Sequence, residues 1–324
     1  MFHLGYKLSS EEQTPNDLVK YARIAEEAGF TFGMISDHFH PWIDRQGQSP
    51  FVWSVIGALA HTTKRLTIAT GVTCPIIRTH PAIIAQAAAT SAAMMPGRFI
   101  LGLGSGENLN EHVVGARWPN NKIRREMLIE AIEVIRDLWK GELTNHRGRY
   151  YEVDNARIYT LPPEPPPIFI AAGGDEAAEM AGRIGDGLVT TSPQADLIER
   201  FDASGGRGKP RWGEMAVCWA KDEASARRTA KEWWPTAVLA SSLHWELPLP
   251  THFEEASEDV TEEQVAKEIV CGPDPERHLE LIGKYEKAGF DHLAIHQVGP
   301  DQEGAIRFYE REILPRLAKG RAAA

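Results

Sequence analysis

The stretch "SDHFHPW", residues 36–42, sets Asp37, His38, His40 and Trp42 close together just after the apolar run "FGMI". These residue types suit proton transfer beside a reacting oxygen. A carboxylate can hold an imidazole in one tautomer, the imidazole can take or give a proton near neutral pH, and an indole N–H can donate to a developing oxyanion. The competing readings are a capping or core histidine and, for the H-x-H pair His38 and His40, a zinc site. Zinc would need further ligands from later strand ends, and those of the fifth and sixth strands read "AAGG" and "TTS". No metal is therefore expected.

A second candidate is "GLGSGENLNE", residues 102–111. The dinucleotide fingerprint would require its third glycine where Glu107 stands, and it belongs after a first strand with a ribose-binding acid downstream. What remains is a glycine-rich turn that presents Glu107 and backbone N–H groups, or simply a tight strand-to-helix turn. "AAGGDEAAE" (171–179) puts Gly173 and Gly174 at a helix start, which suits either a phosphate cradle or close packing. "ATGVTCPIIRTHPA" (69–82) ends another apolar run in small residues and, on its own, reads as a loop with a Cys-Pro turn. Trp53, Trp139 and Trp219 fall on core periods, and Trp118 reads as loop packing.

The elements that must position these residues alternate. Apolar runs "FHLGYKL", "FGMISDH", "LTIATGVTC", "RFILGLGSG", "PIFIAAGG", "GLVTTS", "EMAVCWA" and "HLAIHQVG" are separated by segments of helical period. Most runs are continuously apolar, as strands buried on both faces of a parallel sheet are. Eight strand–helix units predict a (β/α)8 TIM barrel spanning residues 1–324 as one domain. Insertions are expected after strand four (147–167) and after strand seven (233–260, aromatic and irregular). The active face of such a barrel is the C-terminal end of its strands. Asp37 and His38, "TGVTCP", "GSGEN", "AAGG", "TTS" and "HQVG" all fall there.

Composition narrows the partners. Lys and Arg number 35 against 45 acids, a net charge of −10 that disfavours nucleic acid or an anionic membrane as the main partner. Cys74, Cys218 and Cys271 form no CxxC pair and fit a reducing compartment. The N-terminus shows no signal-peptide pattern, and no apolar run approaches the roughly 18 residues of a membrane span. A cytoplasmic protein is expected.

In combination, "LGYK", "SDHFHPW", "TGVTCPIIRTHPAIIAQ", "GSGENLNE", "FIAAGG" and "AGRIGDG" resemble the luciferase-like (β/α)8 family. The similarity is to its branch of deazaflavin-dependent glucose-6-phosphate dehydrogenases and secondary alcohol dehydrogenases. The resemblance implies coenzyme F420 as cofactor and a homodimer. It implies catalytic roles for His38, Trp42, Glu107 and Glu11. It further implies cofactor contacts from Asp37, Gly71, Val72, Thr73, Ser105, Gly106, Asn110, Gly173 and Gly174, with a cis non-prolyl peptide in the Gly71–Val72 bulge. Three positions bear on the substrate. Gln194 stands where the sugar-phosphate enzymes place a lysine, Asp291 where a basic residue is needed, and only Lys267 matches the phosphate set. The expectation is a dehydrogenase for a neutral secondary alcohol or sugar. An F420-dependent sugar-6-phosphate dehydrogenase, an FMN-dependent monooxygenase, a metal-dependent hydrolase and a non-enzymatic binder are the alternatives. Which of His38 and Glu107 moves which proton is open at this point.

Overall fold

The computed structural model describes residues 2–322; residues 1 and 323–324 of the expected domain lie outside the described residues. Eight strands form the barrel: β1 (His3–Leu8), β2 (Phe32–Ile35), β3 (Thr67–Thr70), β4 (Phe99–Leu103), β5 (Ile168–Ala171), β6 (Gly187–Thr190), β7 (Arg211–Cys218) and β8 (His292–Gln297). Each pairs in parallel with its neighbours in chain order, and β8 returns to β1 to close the ring. The fold is the (β/α)8 TIM barrel. β4 shows why the strands are apolar throughout: all five residues of "FILGL" are buried, between the barrel interior and the helical layer.

The helices begin where their capping residues dictate. In Pro15–Ala28 the Thr14 side chain accepts from the Asp17 N–H, Pro15 occupies the first turn, and Gly29 ends the helix. The larger core lies between the strands and the helical layer. Inside the ring, Phe32, Phe169 and Trp212 pack near the strands' N-terminal ends. Nearer the mouth the interior changes character, because Lys7, Glu214 and His296 lie there. Among the described residues no helix is long and apolar enough to cross a membrane.

Before β5 the chain forms an antiparallel hairpin, Thr144–Arg147 with Glu152–Ala156, and then a proline-rich segment. The stretch after β7 is more ordered than its composition suggests. Residues 233–260 contain a short 3-10 helix, Pro235–Val238, and helices Ser241–Glu246 and Pro250–Ala256. Pro235 and Pro250 break the helical period yet stand in first turns, where a missing N–H costs nothing. A short strand not foreseen from the sequence, Val270–Cys271, pairs with Val217 and Cys218 of β7.

Candidate active site

Because all eight strands are parallel, the loops after β1, β2, β3, β4 and β5 open at one mouth. Glu11, His38, Gly71–Val72, Glu107 and Gly173 are therefore at the same end of the barrel. His38 Nε2 lies 3.3 Å from Glu11 Oε1, and its Nδ1 is 3.1 Å from the His40 carbonyl oxygen. Both ring nitrogens thus face an oxygen atom, and the ring is held from either side. Glu11 is 3 % exposed. Its Oε2 accepts from Ser36 Oγ at 2.6 Å and Ser9 Oγ at 3.0 Å. Burial pushes the Glu11 carboxyl up, but the charges of His38 and Lys7 and the Ser36 hydrogen bond outweigh it and hold the group below the usual carboxylate range.

The half-buried Trp42 ring stands edge-on to three others: His38 at 5.0 Å, His244 at 5.1 Å and Phe253 at 5.3 Å. Its backbone N–H donates to Gln46 Oε1 at 2.9 Å. Among the described residues its indole N–H has no partner. His244 and Phe253 come from the insertion after β7, so that insertion forms one wall of the mouth.

Asp37 does not orient His38, as its position in "SDHFHPW" suggests. Its Oδ2 accepts from Thr73 Oγ1 at 2.7 Å and its Oδ1 from Arg78 Nη2 at 2.8 Å. It ties the β2 loop to the β3 loop, and Glu11 is the carboxylate beside the imidazole. Arg78 in turn donates its backbone N–H to Glu111 Oε2 at 2.7 Å. Burial pushes the Glu111 carboxyl up to about 7. The Gly71–Val72 peptide is cis.

Glu107 follows a turn in which Gly106 has φ +73°, a conformation that favours glycine. Asn110 Nδ2 donates to Glu107 Oε2 at 3.1 Å, while Asn110 Oδ1 accepts from the backbone N–H groups of Phe39 at 2.8 Å and His40 at 3.2 Å. One amide side chain thereby joins the His38 loop to Glu107. Beyond it lies a cavity of about 250 Å³ walled by Val72, Ser105, Glu107, Arg124, Arg125, Gly173 and Gly174. Gly173 carries no side chain where the Trp245 ring passes 3.2 Å from the position a Cβ would take. Arg124 pairs with Glu246 at 3.1 Å and lies over the Trp118 ring; Arg125 pairs with Glu176. The helix Asp175–Ile184 opens on this cavity from Gly174 with no side-chain cap, leaving first-turn N–H groups for an anion.

The H-x-H pair does not converge, because His40 Nδ1 turns to the Leu109 carbonyl at 2.9 Å. Among the described residues no three His, Cys, Asp or Glu side chains are grouped to hold a metal. Gln194 is exposed at the start of the helix after β6, donating to Ser192 Oγ. Lys267 is exposed on the helix Glu262–Glu268.

Asp291 requires a correction: it is not a substrate contact. It immediately precedes β8 and so lies at the opposite, N-terminal face of the barrel. There its carboxylate accepts from the Arg211 N–H at 3.0 Å and pairs with His292. The start of a parallel strand and its end are on different faces, so a residue there cannot reach a ligand at the mouth.

Four charged residues escaped the sequence reading. Lys7 Nζ is 2.8 Å from Glu214 Oε2, Glu214 Oε1 is 3.3 Å from His296 Nδ1, and His296 Nε2 is 3.4 Å from Glu12 Oε2. Burial opposes the charged form of Glu214, but Lys7 and His296 lower it to about 2; Glu12 and Glu214 likewise raise His296 to about 9 against burial. The signal was present: "LGYKL", "GEMAVC" and "LAIHQV" each carry one lysine, glutamate or histidine inside an apolar strand.

Residues 1–292 match the family model described as luciferase-like monooxygenase. An F420-dependent glucose-6-phosphate dehydrogenase of Microbacterium testaceum is 38% identical over 330 residues, covering 97% of both chains. That of Mycolicibacterium smegmatis is 36% identical over 330 residues, covering 98% of both. Among solved structures, an F420-dependent secondary alcohol dehydrogenase in complex with an F420-acetone adduct superposes with a TM-score of 0.89 at 29% identity, covering 96% of this chain and 98% of that one.

Proposed function

The chain belongs to the luciferase-like monooxygenase family, and from that premise we propose that it is an F420-dependent dehydrogenase oxidising a neutral secondary alcohol or sugar. The observation that carries the reading is one mouth holding both the Glu11–His38 pair beside the Trp42 indole N–H, unpartnered among the described residues, and a glycine-walled cavity with two arginines. The cavity suits the group: Arg124, Arg125 and the uncapped helix at Gly174 match a phosphate-bearing tail. Asp37, Gly71, Val72, Thr73, Ser105, Gly106, Asn110, Gly173 and Gly174 would hold it. When bound, F420 supplies a hydride acceptor at C5 of its deazaflavin.

The chain's own residues handle the proton. His38 takes it at Nδ1, where the substrate hydroxyl would replace the His40 carbonyl, as the carbinol carbon gives up its hydride, and Glu11 at Nε2 stabilises the imidazolium so formed. The Trp42 N–H donates to the same oxygen while it carries developing negative charge. Glu107, held by Asn110, is the second proton carrier.

A neutral substrate is favoured by the wall it would meet. Trp42, Leu239 and Leu247 are partly buried there, backed by the buried Ile43, Leu109 and Phe253. Gln194 offers no charge, and Lys267 is an exposed cation whose attraction for a phosphate is screened by water. The second reading, a sugar-6-phosphate dehydrogenase, is favoured by the names of the relatives at 36–38% identity. Bleaching of the oxidised cofactor with neutral alcohols, unphosphorylated sugars and glucose 6-phosphate separates the two. The proposal takes residues 1–324 as one barrel domain acting as a cytoplasmic homodimer.

A further inference from the structure

A buried lysine near the end of a barrel strand needs an explanation. Lys7 is 6 % exposed, and a buried ammonium is tolerated only when paired and hydrogen-bonded. Its Nζ donates to the Gly71 carbonyl at 2.9 Å and to Glu214 at 2.8 Å. The first bond reaches the β3 loop and the second reaches β7. The side chain therefore spans the barrel interior directly beneath the mouth.

Its charge also reaches the turn after its own strand, where it acts on Glu11. The groups in contact with that carboxylate are Ser9 beside it and Ser36 and His38 from the β2 loop; Lys7 acts on it by charge, without contact. Around Lys7 itself stand Glu214 from β7 and, behind it, His296 from β8 and Glu12 from the β1 turn. Signs alternate along this chain, so each charge is matched by its neighbours. Lys7 is the one member bonded to the loop that carries Gly71 and Val72.

We propose that Lys7 is a positioning residue for the reaction: it fixes the Gly71 carbonyl, and with it the β3 loop of the cofactor cavity, and it holds a positive charge beneath the mouth. The inference rests on the F420-dehydrogenase reading. Removing the cation makes the proton of the Glu11–His38 pair harder to lose, whichever member carries it. The acid limb of activity must then move to higher pH. A lysine that only fills the barrel would leave that limb in place.

The test compares Lys7→Met with Lys7→Met/Glu214→Gln, which removes the anion that the single variant leaves unpaired. Folding is checked by thermal melting, F420 affinity by calorimetry, and kcat/KM for an alcohol across pH. The acid limb should rise by about one unit or more in the single variant, and in the same direction but by less in the double, where loss of the Glu214 anion offsets part of the lost cation. F420 Kd should weaken by about tenfold, since a carbonyl of the β3 loop has lost its charged donor. If the single variant fails to fold, the double variant decides. A limb at the wild-type pH, or a wild-type F420 Kd, in a folded variant overturns the proposal. Wild-type protein that binds F420 but oxidises no alcohol would contradict the substrate reading instead, leaving the affinity comparison to judge Lys7.

Discussion

His38 Nε2 and Glu11 Oε1 lie 3.3 Å apart, with Ser36 and Ser9 both donating to the other oxygen of the carboxylate. The pair is fixed from both sides, since His38 Nδ1 is engaged by the His40 carbonyl. A histidine so held can pass a proton without losing its orientation. Glu11→Gln keeps the shape but removes the charge that stabilises the imidazolium. We expect kcat/KM for alcohol oxidation to fall by roughly a hundredfold or more, with F420 affinity near wild type. A steady-state comparison with a binding titration checks both numbers, and unchanged kcat/KM would make Glu11 a packing residue.

Glu107→Gln should lower kcat by about a hundred- to ten-thousand-fold while F420 Kd changes little. The amide can still meet Asn110, so the loop joining Glu107 to Phe39 and His40 should survive. Rapid-mixing measurement of a single turnover reads the chemical step directly; a wild-type rate there would reduce Glu107 to a turn residue.

The buried chain through His296 predicts a pH dependence of stability. His296 is raised to about 9 from an ordinary value of 6.5. Its folded form binds the proton more tightly than its unfolded form, so the stabilisation is complete below about pH 6.5 and is lost as pH rises through 9. Glu214, lowered to about 2 from 4.5, works the other way: its contribution is present above 4.5 and is lost as pH falls toward 2. Melting temperature should therefore fall at both extremes. His296→Asn should remove most of the alkaline decline, which thermal melts between neutral pH and about pH 10 would show.

How much of this was legible follows from what each residue touches. His38, Trp42 and Glu107 could be read because they sit in short motifs directly after apolar strands, and in a parallel barrel strand ends are active-site positions. The partner of His38 was harder, because Asp37 is adjacent in sequence yet its carboxylate turns to Thr73 and Arg78. Lys7, Glu214 and His296 each look like an isolated exception in an apolar run; only barrel closure brings them together. His244 and Phe253 lie in a stretch whose prolines hide its short helices. Asp291 was misplaced by treating the start of a strand as though it were the end.

A cation added to attract phosphate belongs at Gln194, after β6, and not at Asp291 on the far face. Gln194→Lys alone should improve kcat/KM for glucose 6-phosphate, because it adds a cation near the mouth. Asp291→Arg should leave kinetics with every substrate unchanged and cost about 1–3 kcal/mol of stability through the lost bonds to Arg211 and His292. Kinetics and denaturant melts on the two single variants decide it; a changed KM in Asp291→Arg would contradict its place on the far face.

The central claim is tested most directly by absorbance at about 420 nm, where the name of the coenzyme places its oxidised form, with purified protein, F420 and a panel of substrates. The account predicts bleaching with one or more neutral secondary alcohols or unphosphorylated sugars, and little with glucose 6-phosphate. Efficient bleaching with glucose 6-phosphate alone would contradict it.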